Sequence, residues 1–206
     1  MPTIFSHSIA ATAIGQWLPV DEQQRAPSPW RLWAWTAVCA MLPDLDVIGF
    51  FFGVRYDDML GHRGITHSLA FAMAVGLFAA WRFPAIDLAQ GSRLKAQGPG
   101  FKAQGRSSAA DRQMTAYRAR LFLYFTLITA SHGLLDALTN GGRGIAFFAP
   151  FSNHRFFFPW RPIQVSPIGV NFFSPRAIDV LASELLWILL PSVIIALLAR
   201  MTRRRV

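Results

Sequence analysis

An imidazole and a carboxylate four residues apart, His132 and Asp136, interrupt the apolar run from Leu121 to Leu138. Residues at that spacing share a helix face. On an otherwise apolar helix such a pair is costly unless other groups partner it. The chain must therefore fold so that further polar side chains meet this face. Two segments offer them. Pro43-Asp44-Leu45-Asp46 breaks one apolar stretch, and Gly61-His62-Arg63-Gly64-Ile65-Thr66-His67-Ser68 leads into another. His and Asp are ligands of divalent metals, so the expectation is one metal centre held among membrane helices.

The medium follows from composition. Of the 206 residues, 53% are hydrophobic and only 15% charged, whereas charged residues make up about a quarter of a typical soluble domain. Eighteen Phe and seven Trp fit lipid and its interface. The single Cys39 excludes an intrachain disulfide and a Cys-rich zinc site. A net charge of +9 is no nucleic-acid signal here, because the basic residues gather between Arg82 and Arg120 and in the tail Arg200, Arg203, Arg204 and Arg205. Basic segments flanking apolar helices mark the cytoplasmic side of a membrane protein. The N-terminus lacks the basic region of a cleaved signal peptide.

The expected fold is a single all-α domain over 1–206, a multi-pass bundle of about four spanning helices plus a short N-terminal helix. The candidate spans are Trp33 to Phe52, Thr66 to Phe83, Leu121 to Leu138 and Ile178 to Ala199, judged against the roughly 17–25 residues that a span needs. Ser6 to Leu18 is shorter and is expected to lie on the bundle or enter it partway. The Gly-, Gln-, Ser-, Lys- and Arg-rich stretch 84–116 reads as a flexible basic linker. Asn140 to Arg176 reads as a long aromatic loop packed on the bundle or interface. With the linker and tail on the cytoplasmic side, all the candidate ligands fall towards the outer face.

Each polar group also has a plainer reading. His132 and Asp136 serve equally well as a packing hydrogen bond. Asp44 and Asp46 follow a proline that breaks helical bonding, so they fit a loop end reaching water. They also fit a site in which one carboxylate binds metal and the other orients a ligand imidazole. His62 sits on a glycine-bounded turn, and Thr66 is placed to cap the helix that His67 begins. Glu184 lies deep in the last apolar run and wants a metal or Arg partner. His7 is isolated, and His154 reads as structural. The number of His and carboxylates exceeds what one four-coordinate zinc uses. It suits a centre with more than one metal, which generates hydroxide and clamps the oxygens of a displacement.

The order His7, Leu42-Pro43-Asp44-Leu45-Asp46, the 61–68 motif and Ser131-His132-Gly133-Leu134-Leu135-Asp136 resembles the YdjM family. Its members are bacterial inner-membrane proteins described as predicted metal-dependent hydrolases. The resemblance spans most of the chain outside the basic stretch. The pattern is more distantly similar to the all-helical zinc-dependent phospholipase C and P1 nuclease group, whose His-x-x-x-Asp pair His132 and Asp136 match. Val180 stands where that group has a His four before its late Glu. The resemblance implies one to three divalent ions, zinc foremost, and metal-hydroxide attack on a phosphoester of a membrane lipid or lipid-linked substrate. His7, Asp44, His62, His67, His132 and Asp136 are then the candidate ligands. Asp46 and Glu184 are candidate catalytic carboxylates, and Arg63 is a candidate oxyanion stabiliser. Two other readings remain: a non-catalytic membrane scaffold with a structural metal, and an ion transporter.

Overall fold

A computed structural model describes residues 2–17, 29–95, 108–167 and 172–203. These residues form helices α1 (Ile4–Gly15), α2 (Pro29–Met41), α3 (Leu69–Lys95), α4 (Ser108–Ala137), α5 (Arg176–Glu184) and α6 (Leu190–Arg203). A 3-10 helix, Leu42–Phe52, continues α2, and a π-helical turn, Leu185–Leu189, joins α5 to α6 in one rod. Among the described residues there is no strand. Two isolated bridges, Thr139 to Ile163 and Ile145 to Phe156, tie the long loop after α4 to itself.

The 3-10 segment has a local cause. Pro43 has no N–H to donate, and Gly53, at φ 79°, closes the segment with its N–H on Phe50 O. Its winding matters for the two carboxylates. In an α-helix, residues two apart lie about 160° apart around the axis. At three residues per turn they lie about 120° apart. Asp44 and Asp46 both turn inward and are buried, while Leu45 between them is 55% exposed.

The core joins α1 to α4 and is built from small residues facing large ones. Ala11, Ala40, Ala79 and Ala80 are buried against Phe83, Leu121, Phe125 and Ile128. Such small contacts let helix backbones approach closely in a membrane. Gly76 of α3 is the tightest case, since a Cβ there would stand 2.8 Å from Phe122 O of α4. One buried polar pair, Thr36 Oγ1 to Tyr124 OH at 2.7 Å, crosses from α2 to α4.

Four spanning helices were expected, and among the described residues two stretches are both long and apolar enough: Trp30–Phe52 and Arg176–Thr202. Only 28% and 22% of their apolar windows are buried, which suits faces turned to lipid rather than to a soluble core. Leu69–Phe83 is apolar but shorter. Leu121 to Leu138 covers the C-terminal part of α4 and the residue after it, and the N-terminal part of the helix carries Arg112, Arg118 and Arg120. Helix occupies both flanks of the stretch read as a linker, since α3 runs to Lys95 and α4 starts at Ser108. Positions 96–107 lie outside the described residues, as do Leu18, Arg204 and Arg205.

Gly76→Val should drive the added side chain into the α4 backbone. Overpacking of this kind costs about 1–3 kcal/mol. The purified variant in detergent should melt below the wild type, and an unchanged melting temperature would contradict the close α3–α4 contact.

Candidate metal centre

Four elements deliver the cluster. The 3-10 helix brings Asp44 and Asp46, the turn before α3 brings His62, Arg63 and His67, α4 brings His132 and Asp136, and α1 brings His7. All of these side chains are buried, none more than 9% exposed. Gly133 lets α4 come this close, because a Cβ there would sit 3.0 Å from His67 O.

The protons on the imidazoles can be assigned from their partners. His132 Nδ1 lies 2.7 Å from Ala40 O. A carbonyl only accepts, so Nδ1 carries the hydrogen and Nε2 presents a lone pair. His67 Nδ1 lies 3.1 Å from Thr66 Oγ1 and 3.3 Å from Asp46 Oδ2. That environment likewise places its hydrogen on Nδ1 and its lone pair on Nε2. The two Nε2 atoms then face each other at 3.1 Å. Asp44 Oδ1 is 3.3 Å from His132 Nε2 and 3.7 Å from His67 Nε2, and Asp136 Oδ2 is 3.5 Å from His67 Nε2. Lone pairs and carboxylates so arranged repel unless a proton or a metal cation lies among them.

The donor set fits a metal ion in three respects. Asp44, His67, His132 and Asp136 each offer one ligand atom, all within 4.8 Å of one another. Donors about 2.0–2.1 Å from a tetrahedral zinc stand roughly 3.4 Å apart, and the four separations above run from 3.1 to 3.7 Å. Both oxygens of Asp44 are buried without a hydrogen-bond partner, an arrangement too costly to hold for packing alone. Charge agrees as well. Three buried carboxylates, Asp44, Asp46 and Asp136, face one buried guanidinium, Arg63. With every imidazole in its neutral, metal-binding form, the remaining two negative charges balance one divalent cation.

Asp46 stands behind the ligands rather than among them. Its Oδ1 accepts from His62 Nδ1 at 2.7 Å, and its Oδ2 accepts from Thr66 Oγ1 at 2.6 Å and Arg63 N at 3.2 Å. With His67 Nδ1 also beside it, this carboxylate holds two imidazoles in their tautomers, as carboxylates behind metal-bound histidines do. A second possible donor group, Asp46, His62 and His67, shares His67 with the first. A neutral imidazole has one lone pair, so the two groups cannot both draw on it.

Three expected roles look different in place. Arg63 is fully buried, with Nε 3.0 Å from Asp136 Oδ2, Nη1 donating to Gly141 O at 2.9 Å and Nη2 to Thr139 Oγ1 at 3.1 Å. Its guanidinium holds Asp136 and the loop after α4 instead of facing an open oxyanion position. Its backbone sits at φ 65°, in a region that costs a non-glycine residue about 1–3 kcal/mol. Glu184 stays outside the cluster. Its carboxylate takes the Thr3 N–H, Thr3 Oγ1 at 2.7 Å and Ser6 Oγ at 2.8 Å. It thus places negative charge at the N-terminus of α1, where the helix dipole favours it. Thr66 serves Asp46, and Ser68 is the residue that caps α3, accepting from Phe71 N at 3.1 Å.

His7 belongs to the cluster in a different way. Its ring stacks on His132 with centroids 3.7 Å apart and planes 14° apart, and Nε2 lies 3.6 Å from Asp136 Oδ1. Neither ring nitrogen has a hydrogen-bond partner. His154 is exposed and meets Phe156 edge-on at 4.6 Å, away from the site.

Sequence reading missed the supports. Ala40 orients His132 through a backbone carbonyl, which no side-chain pattern reveals. Arg155 pins the turn by donating from Nη1 to His62 O at 3.0 Å and from Nη2 to Tyr56 O at 3.1 Å. The Tyr56 ring meets His62 edge-on at 5.3 Å, and burial pushes its phenol pKa up, keeping it neutral. An arginine among phenylalanines was the only available signal for that staple.

Comparison with known sequences agrees with the motifs. The model of the family described as YdjM inner membrane protein matches residues 1–206. The chain is 35% identical over 196 residues to the inner membrane protein YbcI of Escherichia coli (strain K12), covering 95% of each chain. No solved structure matches.

Asp46→Asn should weaken metal binding without abolishing it, because the direct donors stay. Loss of such an outer partner typically lowers affinity about 10–100-fold. Competition against a chelator of known affinity measures this, and an unchanged affinity would remove Asp46 from its orienting role.

Proposed function

The chain belongs to the YdjM family of inner membrane proteins, and we propose that it is a membrane-embedded, metal-dependent phosphoesterase acting on a lipid or lipid-linked substrate. The observation that carries this reading is the convergence of Asp44, His67, His132 and Asp136 on one buried point. One divalent ion fits the uncompensated charge, and zinc fits the donor types and their spacing. Such an ion supplies Lewis acidity and lowers the pKa of bound water.

The protein's own groups would do the rest. Ala40 O and Asp46 keep the protons of His132 and His67 on Nδ1, so both Nε2 lone pairs face inward. Arg63 fixes Asp136 and offsets part of its charge. His7 lies beside the cluster with neither nitrogen engaged, so it can add a further donor to an ion held there. Burial excludes bulk water and strengthens each of these interactions.

In the membrane we propose four crossings: the α2 rod with its 3-10 extension, α3, α4, and the α5–α6 rod. α3 has 27 residues and α4 has 30, longer at about 1.5 Å per residue than the roughly 30 Å hydrocarbon core. The basic 84–116 stretch and the C-terminus would face the cytoplasm, with the cluster towards the outer leaflet.

A second reading has one observation in its favour. All four donors come from the protein and all are buried, as in a closed structural site. The two readings diverge on turnover. For the hydrolase, purified protein should carry about one equivalent of divalent metal by elemental analysis, as one four-ligand site requires. It should release phosphate or headgroup from a panel of phospholipids and lipid phosphates in mixed micelles. His132→Ala should lose both metal and turnover, and Glu184→Gln should keep the metal. Stoichiometric metal with no turnover on any lipid would favour the scaffold. Absence of metal would overturn both.

A further inference from the structure

A groove of about 900 Å3 lies between α1 and the last helical rod, walled by Phe5, Ile9, Phe172, Leu181, Leu185 and Leu189. Its size falls within the roughly 300–1,000 Å3 typical of ligand clefts. The polar side chains in its lining are Thr3, Ser6, Ser166 and Glu184, and three of these are tied in one knot, with both Thr3 and Ser6 donating to Glu184.

Three features say what would occupy it. First, Leu181, Leu185 and Leu189 belong to the stretch Arg176–Thr202, apolar and long enough to cross a membrane. That stretch also exposes Leu186, Leu190 and Ile194, so the groove is continuous with the lipid-facing surface and opens to hydrocarbon. Second, Leu185 and Leu189 are the first and last residues of the π turn. A π turn inside a helix is rare and occurs mostly at functional sites. Third, α1 is a shared wall. Ser6 lines the groove, while the next residue, His7, stacks on His132 in the metal centre.

We infer that this groove is an acyl-chain subsite, holding one hydrocarbon chain of a membrane glycerophospholipid so that its phosphoester head lies on the Ser6–His7 side of α1. The inference rests on the phosphoesterase reading for the purpose of the site, although chain binding is measurable without turnover.

The test uses the full-length protein in vesicles of phosphatidylethanolamine and phosphatidylglycerol doped with a phosphatidylglycerol carrying a diazirine near the end of one acyl chain. After irradiation, digestion and mass spectrometry map the adducts. Adducts should concentrate on Phe5, Ile9, Leu181 and Leu185. Leu181→Trp or Ile178→Trp, each filling the groove from one wall, should remove most of that labelling. Leu77→Trp, on the exposed face of α3, should leave it unchanged. Adducts spread evenly over all exposed apolar faces, and indifferent to the groove variants, would mean annular lipid only and overturn the subsite. Displacement of the label by a prenyl phosphate but not by unlabelled phosphatidylglycerol would overturn the glycerophospholipid assignment. Metal content measured on the same samples separates the two ideas. Groove labelling without metal sinks the phosphoesterase and leaves the subsite, whereas metal without groove labelling does the reverse.

Discussion

The structure depends on one electrostatic arrangement: three carboxylates are buried against a cluster of imidazoles with one guanidinium beside them. In a low-dielectric interior such a group is tolerable only when its charges are paired and its lone pairs used. Arg63 and Asp136 make one pair at 3.0 Å. Asp46 is satisfied by donors from His62, Arg63 and Thr66. Asp44 has none, and its Oδ1 lies 3.3 Å from His132 Nε2 and 3.7 Å from His67 Nε2, a placement that suits shared ligation of a cation. The strained backbone at Arg63 belongs to the same account, since that conformation lets one residue brace Asp136, Thr139 and Gly141 together.

Precision at the cluster comes from how the chain is wound, element by element. His132 and Asp136 inherit their common face from α-helical spacing. Asp44 and Asp46 owe theirs to the change from α to 3-10 winding. That change also bears on His132. In 3-10 spacing Ala40 O would accept from residue 43, and Pro43 has no proton to give. The carbonyl is used by the imidazole instead, at 2.7 Å. One proline thus both aims two carboxylates and leaves the acceptor that fixes a histidine tautomer. Only Ile65–His67 of the segment carrying His62 and His67 is wound, as a single 3-10 turn, and around His62 Arg155 supplies rigidity by binding backbone carbonyls from outside.

This division explains what was legible in the sequence. His132, Asp136, Asp44, His62 and His67 stood out because ionisable groups are conspicuous among Leu, Phe and Ala, and all of them meet. Arg63 was conspicuous for the same reason, but a guanidinium that braces a carboxylate and one that waits for substrate look alike in one dimension. Glu184 misled similarly: a carboxylate deep in an apolar run does need partners, yet Thr3 and Ser6 lie 181 and 178 residues away, a separation no local pattern bridges. Apolar length also failed to distinguish an α-helix from one that turns 3-10 halfway, as in Trp33 to Phe52. Composition at 84–116 resembled a linker, although helix reaches into both of its ends.

The placement of Glu184 links the metal centre to the lipid face. Its bonds to Thr3 and Ser6 anchor the start of α1 to the last rod, directly before the π turn. α1 in turn lays His7 flat against His132. Glu184 bonds to the start of α1, and the π turn that follows packs on the same helix through Ile188 and Ala10, while its end residues Leu185 and Leu189 line the groove. Packing straightened there would pull on Ser6 and, through one peptide unit, on His7. One mechanical path between the groove and the buried cluster therefore runs through the first helix of the chain, whose consecutive residues Ser6 and His7 face the two environments.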